Sequence, residues 1–167
     1  MAYKADLGVA GAAALAAMLT ALALVPRPYG ELAVLAAAPL LRRRVAWVRF
    51  SPTHIAASLA VYAAAFALDY VTVGPPAYVP TWWDAAVLTP FAEELVFRAA
   101  AFALLPPPAS WIFAVAVFGA LHPANPLLAS LYGLALALMY RGGGYAASAG
   151  LHAVNNLVWL TLAAGRL

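Results

Sequence analysis

Long apolar runs fill most of the chain, and proline or glycine separates each run from the next. Their lengths predict membrane helices, since a full crossing takes about 20 apolar residues. The second, fifth and sixth runs are shorter, so we expect them to be tilted, broken or partly re-entrant. The predicted segments cover residues 7–25, 31–41, 53–73, 82–105, 110–122, 126–140 and 145–164.

Composition identifies the class of protein. Hydrophobic residues make up 66% of the chain and charged residues 9%, against about 45–50% and about 25% in soluble domains. We therefore predict an all-α, polytopic membrane bundle of about seven segments, forming a single domain over residues 1–167. The absence of cysteine excludes a thiol nucleophile, a disulfide framework and a cysteine metal site.

The basic residues predict the orientation. If every segment crosses the membrane, one side receives Lys4, Arg141 and the arginines at 42–44 and 49, while Arg27 and Arg166 lie on the other. The first side should be cytoplasmic, with Tyr78, Trp82 and Trp83 at the outer interface. No basic face suits nucleic acid, so we expect lipids to be the surroundings and predict an integral protein of a prokaryotic plasma membrane.

Several ionisable residues interrupt the apolar runs. Glu93, Glu94 and Arg98 lie mid-segment, His122 ends the fifth segment, and His152 and Asn156 lie in the last. An ionised side chain near the bilayer centre costs at least ~3 kcal/mol, which makes such residues functional candidates. At about 1.5 Å per residue, the three segments bring these groups to similar depths, nearer the predicted cytoplasmic face. We therefore expect one site that opens toward the cytoplasm.

Helical spacing assigns faces to these residues. Glu94 and Arg98 are four apart and can pair, whereas Glu93 points about 100° away and is free to take a proton from water together with His122. His152 and Asn156 are also four apart and could donate hydrogen bonds to an oxyanion.

Each of these residues also has a purely structural interpretation. Glu94 and Arg98 could form an ion pair that only holds the bundle, and His122 could cap helix carbonyls. His152, Asn156 and Asn155 could be interhelical hydrogen-bonding groups. Of the remaining polar residues, we expect His54 and Asp84 to be interfacial and Asp69 to be a polar partner within the bundle.

Three short motifs point to a known family. Residues 93–98 read EELVFR and fit EExxxR, residues 118–122 read FGALH and fit FxxxH, and residues 152–156 read HAVNN and fit HxxxN. In this order, on separate segments, they resemble the CPBP or Abi family, which includes CAAX prenyl proteases of the Ras-converting type and bacteriocin-processing relatives.

The resemblance implies an intramembrane endopeptidase whose catalytic half is about 82–164. Glu93 and His122 would activate water, His152 and Asn156 would stabilise the oxyanion, and Glu94 and Arg98 would orient the site or bind substrate. The substrate would be a peptide or a lipidated protein, and the cleaved bond could lie near a prenylated C-terminus.

Other chemistries compete with this interpretation. Glu93, His122 and His152 could ligate zinc, although HExxH is absent and a nearby arginine disfavours a cation, so we expect no metal cofactor. Ser148 and His152 could form a rhomboid-like serine site, which leaves the acidic residues without a role. A small transporter or a non-catalytic scaffold or immunity protein would also bury such groups, but the paired repeats typical of transporters are not evident.

Overall fold

The computed structural model describes residues 2–77 and 81–165. Within these ranges every regular element is a helix and no strand occurs, so the all-α prediction is confirmed. We number the helices α1 to α8 in chain order. They are α1 (Ala2–Leu24), α2 (Tyr29–Ala36), α3 (Ala38–Leu41), α4 (Pro52–Thr72), α5 (82–104), α6 (Ala109–Ala120), α7 (126–143) and α8 (145–164).

Helices α5 and α6 contain wider, π-helical turns that the sequence did not predict. In α5 these are Asp84–Leu88 and Leu95–Ala100, which alternate with the α-helical segments Thr89–Glu94 and Ala101–Leu104. In α6 the π-helical segment Phe113–Val117 separates Ala109–Ile112 from Phe118–Ala120. π-Turns are rare and often mark functional sites. Here Arg98 lies within a π-helical segment, and Glu94 and Phe118 each lie next to one.

Helices α7 and α8 together span Pro126–Ala164 and are separated by a kink at Gly144, where the chain reverses. Gly144 has φ 81°, and a Cβ atom there would lie 2.7 Å from the Ala46 carbonyl oxygen, so only glycine fits. The loop before α4 packs against this corner, where Tyr145 N donates to Ala46 O at 2.8 Å and Ser51 N to Gly142 O at 2.8 Å. The predicted break at 142–144 is confirmed.

Helix α4 lies against both arms of this hairpin. Its Ser58 hydroxyl donates to Ala135 O of α7 at 2.6 Å, and Phe66 packs on Trp159 of α8 with ring centroids 5.0 Å apart. From the start of α4 to its end, its contacts shift toward the start of α7 and toward the end of α8. The two arms are therefore antiparallel, as separate crossings require.

Helix α5 occupies the centre of the bundle. Leu95, Val96 and Ala99 are all fully buried. Helix α1 runs antiparallel beside it, because Gly11 contacts Leu104 O at the end of α5 while Arg27 lies 3.9 Å from Asp84 at its start. The core around α5 thus encloses the EExxxR motif from Glu94 to Arg98.

One described helix, Pro52–Thr72, is long and apolar enough to cross a membrane, and Val9–Leu24, Tyr29–Leu41 and Ala109–Ala120 are shorter apolar helices. The second and fifth segments are thus short, as predicted, while the expected seven crossings stay a prediction. Trp82 and Trp83 are exposed, in keeping with an interfacial position. Tyr78 and Arg166, which we assigned to the outer side, lie outside the described residues.

Candidate active site

Glu94 and Arg98 form an ion pair at the centre of the bundle. Arg98 Nη1 donates to Glu94 Oε1 at 2.7 Å, and both side chains are fully buried. Arg98 Nη2 also donates to Gly133 O of α7 at 3.3 Å, and its guanidinium lies 4.2 Å above the Phe118 ring. The predicted pairing is confirmed. Arg98, which belongs to α5, also contacts α7 at Gly133 O and α6 at the Phe118 ring, so it links three helices.

His152 joins this pair from α8. Its Nδ1 lies 3.0 Å from Glu94 Oε1. Because an ionised carboxylate only accepts hydrogen bonds, Nδ1 carries the proton and donates. Its other nitrogen, Nε2, lies 4.0 Å from Glu93 Oε2. Glu94 therefore fixes the ring so that Nε2 faces the second glutamate.

Glu93 faces a cavity rather than the core. Its side chain is 17% exposed, whereas that of Glu94 is fully buried. The cavity has a volume of about 280 Å³. Apart from Glu93, it is lined by Leu19, Leu22, Ala23, Arg27, Phe97, Leu121 and His122. The two adjacent carboxylates thus have different surroundings, as their helical positions predicted.

His122 follows the end of α6, where the chain turns before α7. Its Nδ1 lies 2.7 Å from Phe118 O, and because a carbonyl oxygen only accepts, Nδ1 donates. In the neutral ring Nε2 is then an acceptor. His122 lines the Glu93 cavity and also a second cavity of about 120 Å³ between α4, α6, α7 and α8. The carbonyl contact that we gave as its structural role coexists with access to both cavities.

Asn156 lines this second cavity together with His152, Tyr62, Tyr132 and Asn155. Its Nδ2 donates to Ala85 O of α5 at 2.8 Å, and its Oδ1 accepts from Asn155 Nδ2 at 3.2 Å. One of its two N–H groups is therefore committed to the backbone of α5. The structure thus brings His122, His152 and Asn156 to a single cavity wall.

The candidate metal ligands do not converge as a metal site requires. Within residues 2–77 and 81–165, no three His, Asp or Glu side chains form a cluster that could hold a metal ion. One His152 nitrogen is taken by Glu94, and Arg98 shares the same carboxylate oxygen. His152 Nε2 is therefore the ring nitrogen that Glu94 does not engage.

Two further polar residues have defined partners. The fully buried Ser148 has its hydroxyl donating to Tyr145 O at 3.2 Å, a poor arrangement for the serine nucleophile considered from the sequence. Asp69 accepts from the Tyr132 hydroxyl at 3.0 Å, as expected of a polar partner within the bundle. The sequence did not predict that Tyr62 lines the second cavity, because a lone tyrosine in an apolar run is usually an ordinary packing residue.

The larger cavity, which Glu93 lines, bears on two predictions: that the site opens toward the cytoplasm, and that the side with most of the basic residues is cytoplasmic. Its far end is lined by Arg27, whose side chain is 56% exposed and lies beside the start of α5. Arg42, Arg43 and Arg44 belong to the opposite end, because the 42–51 segment packs on Gly142–Gly144 at the hairpin corner. The Arg27 end of the cavity and the arginines at 42–44 therefore lie toward different ends of the bundle.

The fold and this site define an all-helical protein with a buried carboxylate, arginine and histidine cluster next to a cavity. Residues 75–158 match the family model described as Type II CAAX prenyl endopeptidase Rce1-like. The match covers about half of the 167 residues, and the chain belongs to this family of integral membrane CAAX-type proteases. No curated protein and no solved structure matches the chain significantly.

Proposed function

We propose that this chain is an intramembrane endopeptidase in which Glu93 and His122 activate water for attack on a peptide carbonyl. The observation that carries the proposal is the contrast between the two glutamates: Glu94 is fully buried and its Oε1 is bound by both Arg98 and His152, while Glu93 faces a cavity with His122. Family membership favours a peptidase over a transporter or a scaffold.

The first step uses the free carboxylate. A water molecule between Glu93 and His122 gives a proton to Glu93, while the Nε2 lone pair of His122 accepts the second hydrogen and orients the water. The water oxygen bonds to the carbonyl carbon and creates an oxyanion. The C–N bond then breaks as Glu93 returns the proton to the leaving amine, so that one water is consumed for each bond cleaved.

The oxyanion is held from the α8 side. Asn156 has a second N–H beyond the one donated to Ala85 O, and His152 donates from Nε2 when its ring carries both protons. Glu94 and Arg98 orient His152. We prefer this positioning role to substrate contact, since both side chains are fully buried and neither lines the two cavities of the site.

Substrate class follows from the wall of the larger cavity. Leu19, Leu22, Ala23, Phe97 and Leu121 give it a mainly apolar lining beside the reactive groups. This surface suits an apolar side chain or a lipid-modified cysteine next to the cleaved bond, as in the prenylated C-termini for which the family is named. We propose a single membrane domain that uses residues from both halves of the chain, with no metal cofactor.

The proposal is tested by peptide cleavage with detergent-solubilised protein. Glu93→Gln keeps shape but cannot accept a proton, so turnover should fall by about 10²–10⁴-fold. Asp69→Asn is the matched control, because it makes the same chemical change in α4 at a carboxylate outside the catalytic groups, and it should stay active. A chelator should leave wild-type turnover unchanged. Full activity of Glu93→Gln, or loss of turnover with the chelator, would contradict this mechanism.

We further propose that the site is reached from the cytoplasm of a prokaryotic cell. The positive-inside rule places Lys4, Arg141 and the arginines at 42–44 and 49 in the cytoplasm, whereas Arg27, at the opposite end of the bundle, lines the cavity of Glu93. Single cysteines at positions 27 and 43 in this cysteine-free chain decide which end of the bundle is cytoplasmic. Labelling of position 27 only from outside the cell excludes cytoplasmic access through the Arg27 end of the cavity.

A further inference from the structure

The amide of Asn156 has a fixed orientation in this structure. Ala85 O is a backbone carbonyl and can only accept, so the Asn156 atom 2.8 Å away must be the amide nitrogen. The Asn156 oxygen then points the other way, toward Asn155, whose amide nitrogen lies 3.2 Å from it. A carbonyl on α5 thus determines which end of the Asn156 side chain faces Asn155.

The same reasoning continues one residue further. Asn155 must present its NH₂ group to the Asn156 oxygen, which leaves the Asn155 oxygen directed at the Tyr62 hydroxyl 3.2 Å away. An amide oxygen only accepts, so Tyr62 is the donor. Four groups on α4, α5 and α8 therefore form one chain of hydrogen bonds with a single direction.

We infer that Tyr62 and Asn155 are positioning residues, which hold the Asn156 amide so that its second N–H faces the cavity shared with His122 and His152. This inference rests on the oxyanion role proposed for Asn156. Tyr62 lies in α4, outside the 75–158 segment that matches the family. The HxxxN motif would then depend on a residue that the motif does not contain.

Because this chain of hydrogen bonds is partly buried, the loss of one partner should affect the others. Tyr62, Asn155 and Asn156 are all partly shielded from solvent and line the same cavity of about 120 Å³. Without the tyrosine hydroxyl, the Asn155 oxygen loses its hydrogen-bond donor, and the Asn155 side chain is held only through Asn156. It can then rotate away to find another partner, and the Asn156 oxygen would lose the donor that restrains the Asn156 side chain.

A matched control lies next to Tyr62. Tyr132 lines the same cavity, and its ring centroid is 5.9 Å from that of Tyr62. Its hydroxyl donates to Asp69, not toward Asn156. Tyr62→Phe and Tyr132→Phe thus remove the same atom from the same cavity, but only the first interrupts the chain to Asn156.

The experiment measures kcat and KM for peptide cleavage by the purified full chain. Tyr62→Phe should lower kcat about five- to tenfold with KM within about twofold, because oriented oxyanion donors act mainly in the transition state. Tyr132→Phe should change kcat by less than about twofold. Equal loss in the two variants, or a Tyr62→Phe effect confined to KM, overturns the inference.

A double-mutant cycle separates positioning from general packing. In the Asn156→Ala background, Tyr62→Phe should have almost no further effect on kcat, since the group it positions is gone. An undiminished effect there shows a structural role and overturns the inference. A slow Asn156→Ala with a fully active Tyr62→Phe overturns the inference alone, whereas a fully active Asn156→Ala overturns the proposed oxyanion role as well. If Tyr62→Phe unfolds in detergent, Asn155→Leu supplies the same cycle.

Discussion

Helices α4 and α5 are both predominantly apolar and of similar length, yet they have opposite environments. Helix α4 is the described helix whose length and hydropathy suit a membrane crossing, and only 11% of its most apolar window is buried. Leu59, Leu68 and Val71 on it are exposed. In α5, by contrast, all residues from Leu95 to Ala100 are buried. The bundle therefore presents α4 to lipid and encloses α5.

This difference explains where chemistry can be placed. A charged side chain on the exposed face of α4 would meet the hydrocarbon, at a cost of at least ~3 kcal/mol near its centre. On α5 the same charge meets protein groups, as Arg98 does with Glu94, Gly133 O and the Phe118 ring. High hydropathy thus indicates the lipid-facing helix, and a run of apolar residues broken by charges indicates the enclosed one.

The largest expected effect on stability is the loss of the central ion pair. Glu94→Gln leaves the Arg98 guanidinium fully buried without a counter-charge, which typically costs ~3–5 kcal/mol. It also removes the charge that holds His152 Nδ1. We expect the midpoint of thermal unfolding in detergent to fall strongly.

Glu93→Gln is the matched comparison for this measurement. Glu93 faces the cavity and is partly exposed, so its neutralisation should leave the unfolding midpoint close to that of the wild type while turnover is lost. Melting of Glu93→Gln far below an unaffected Glu94→Gln would reverse our assignment of the two carboxylates.

A pair of leucines tests the enclosed and lipid-facing helices directly. Leu95 on α5 is fully buried, whereas Leu59 on α4 is 48% exposed. Truncating a buried leucine to alanine costs about 2–5 kcal/mol, and an exposed substitution usually changes stability by less than about 0.5 kcal/mol. Leu95→Ala should therefore unfold in detergent much more readily than Leu59→Ala. Equal destabilisation would mean that α4 packs against protein in a larger assembly.

The sequence predicted the residues of the site and their helical faces better than the contacts between helices. Spacing alone indicated that Glu94 pairs with Arg98 while Glu93 lies on another face, because four-residue separations are set by helix geometry. Proline and glycine marked the breaks, including Gly144, since those residues act on the local backbone. These features depend on near neighbours in the chain, which the sequence shows.

Long-range contacts were not predictable in the same way. The bond between His152 and Glu94 joins residues 58 positions apart, and the bond between Tyr62 and Asn155 joins residues 93 apart. The first depends on how α8 packs against α5, and the second on how α4 packs against α8. The π-helical turns and the position of the Glu93 cavity also follow from packing, because apolar sequences rich in alanine permit many helix arrangements.

The smallest expected effect concerns a buried hydrogen bond between α4 and α7. Ser58 is fully buried on this mostly exposed helix, and its hydroxyl donates to Ala135 O at 2.6 Å. Interhelical hydrogen bonds in membrane proteins average about 0.6 kcal/mol, with a maximum of about 1.7. Ser58→Ala should therefore lower the free energy of unfolding in detergent by about that average. Thr72→Ala is the control, since the exposed Thr72 hydroxyl donates to Leu68 O of its own helix. If both substitutions have the same effect, the Ser58 contact does not contribute to α4 docking, and close packing along Ala65 and its neighbours must hold this helix against the α7–α8 hairpin.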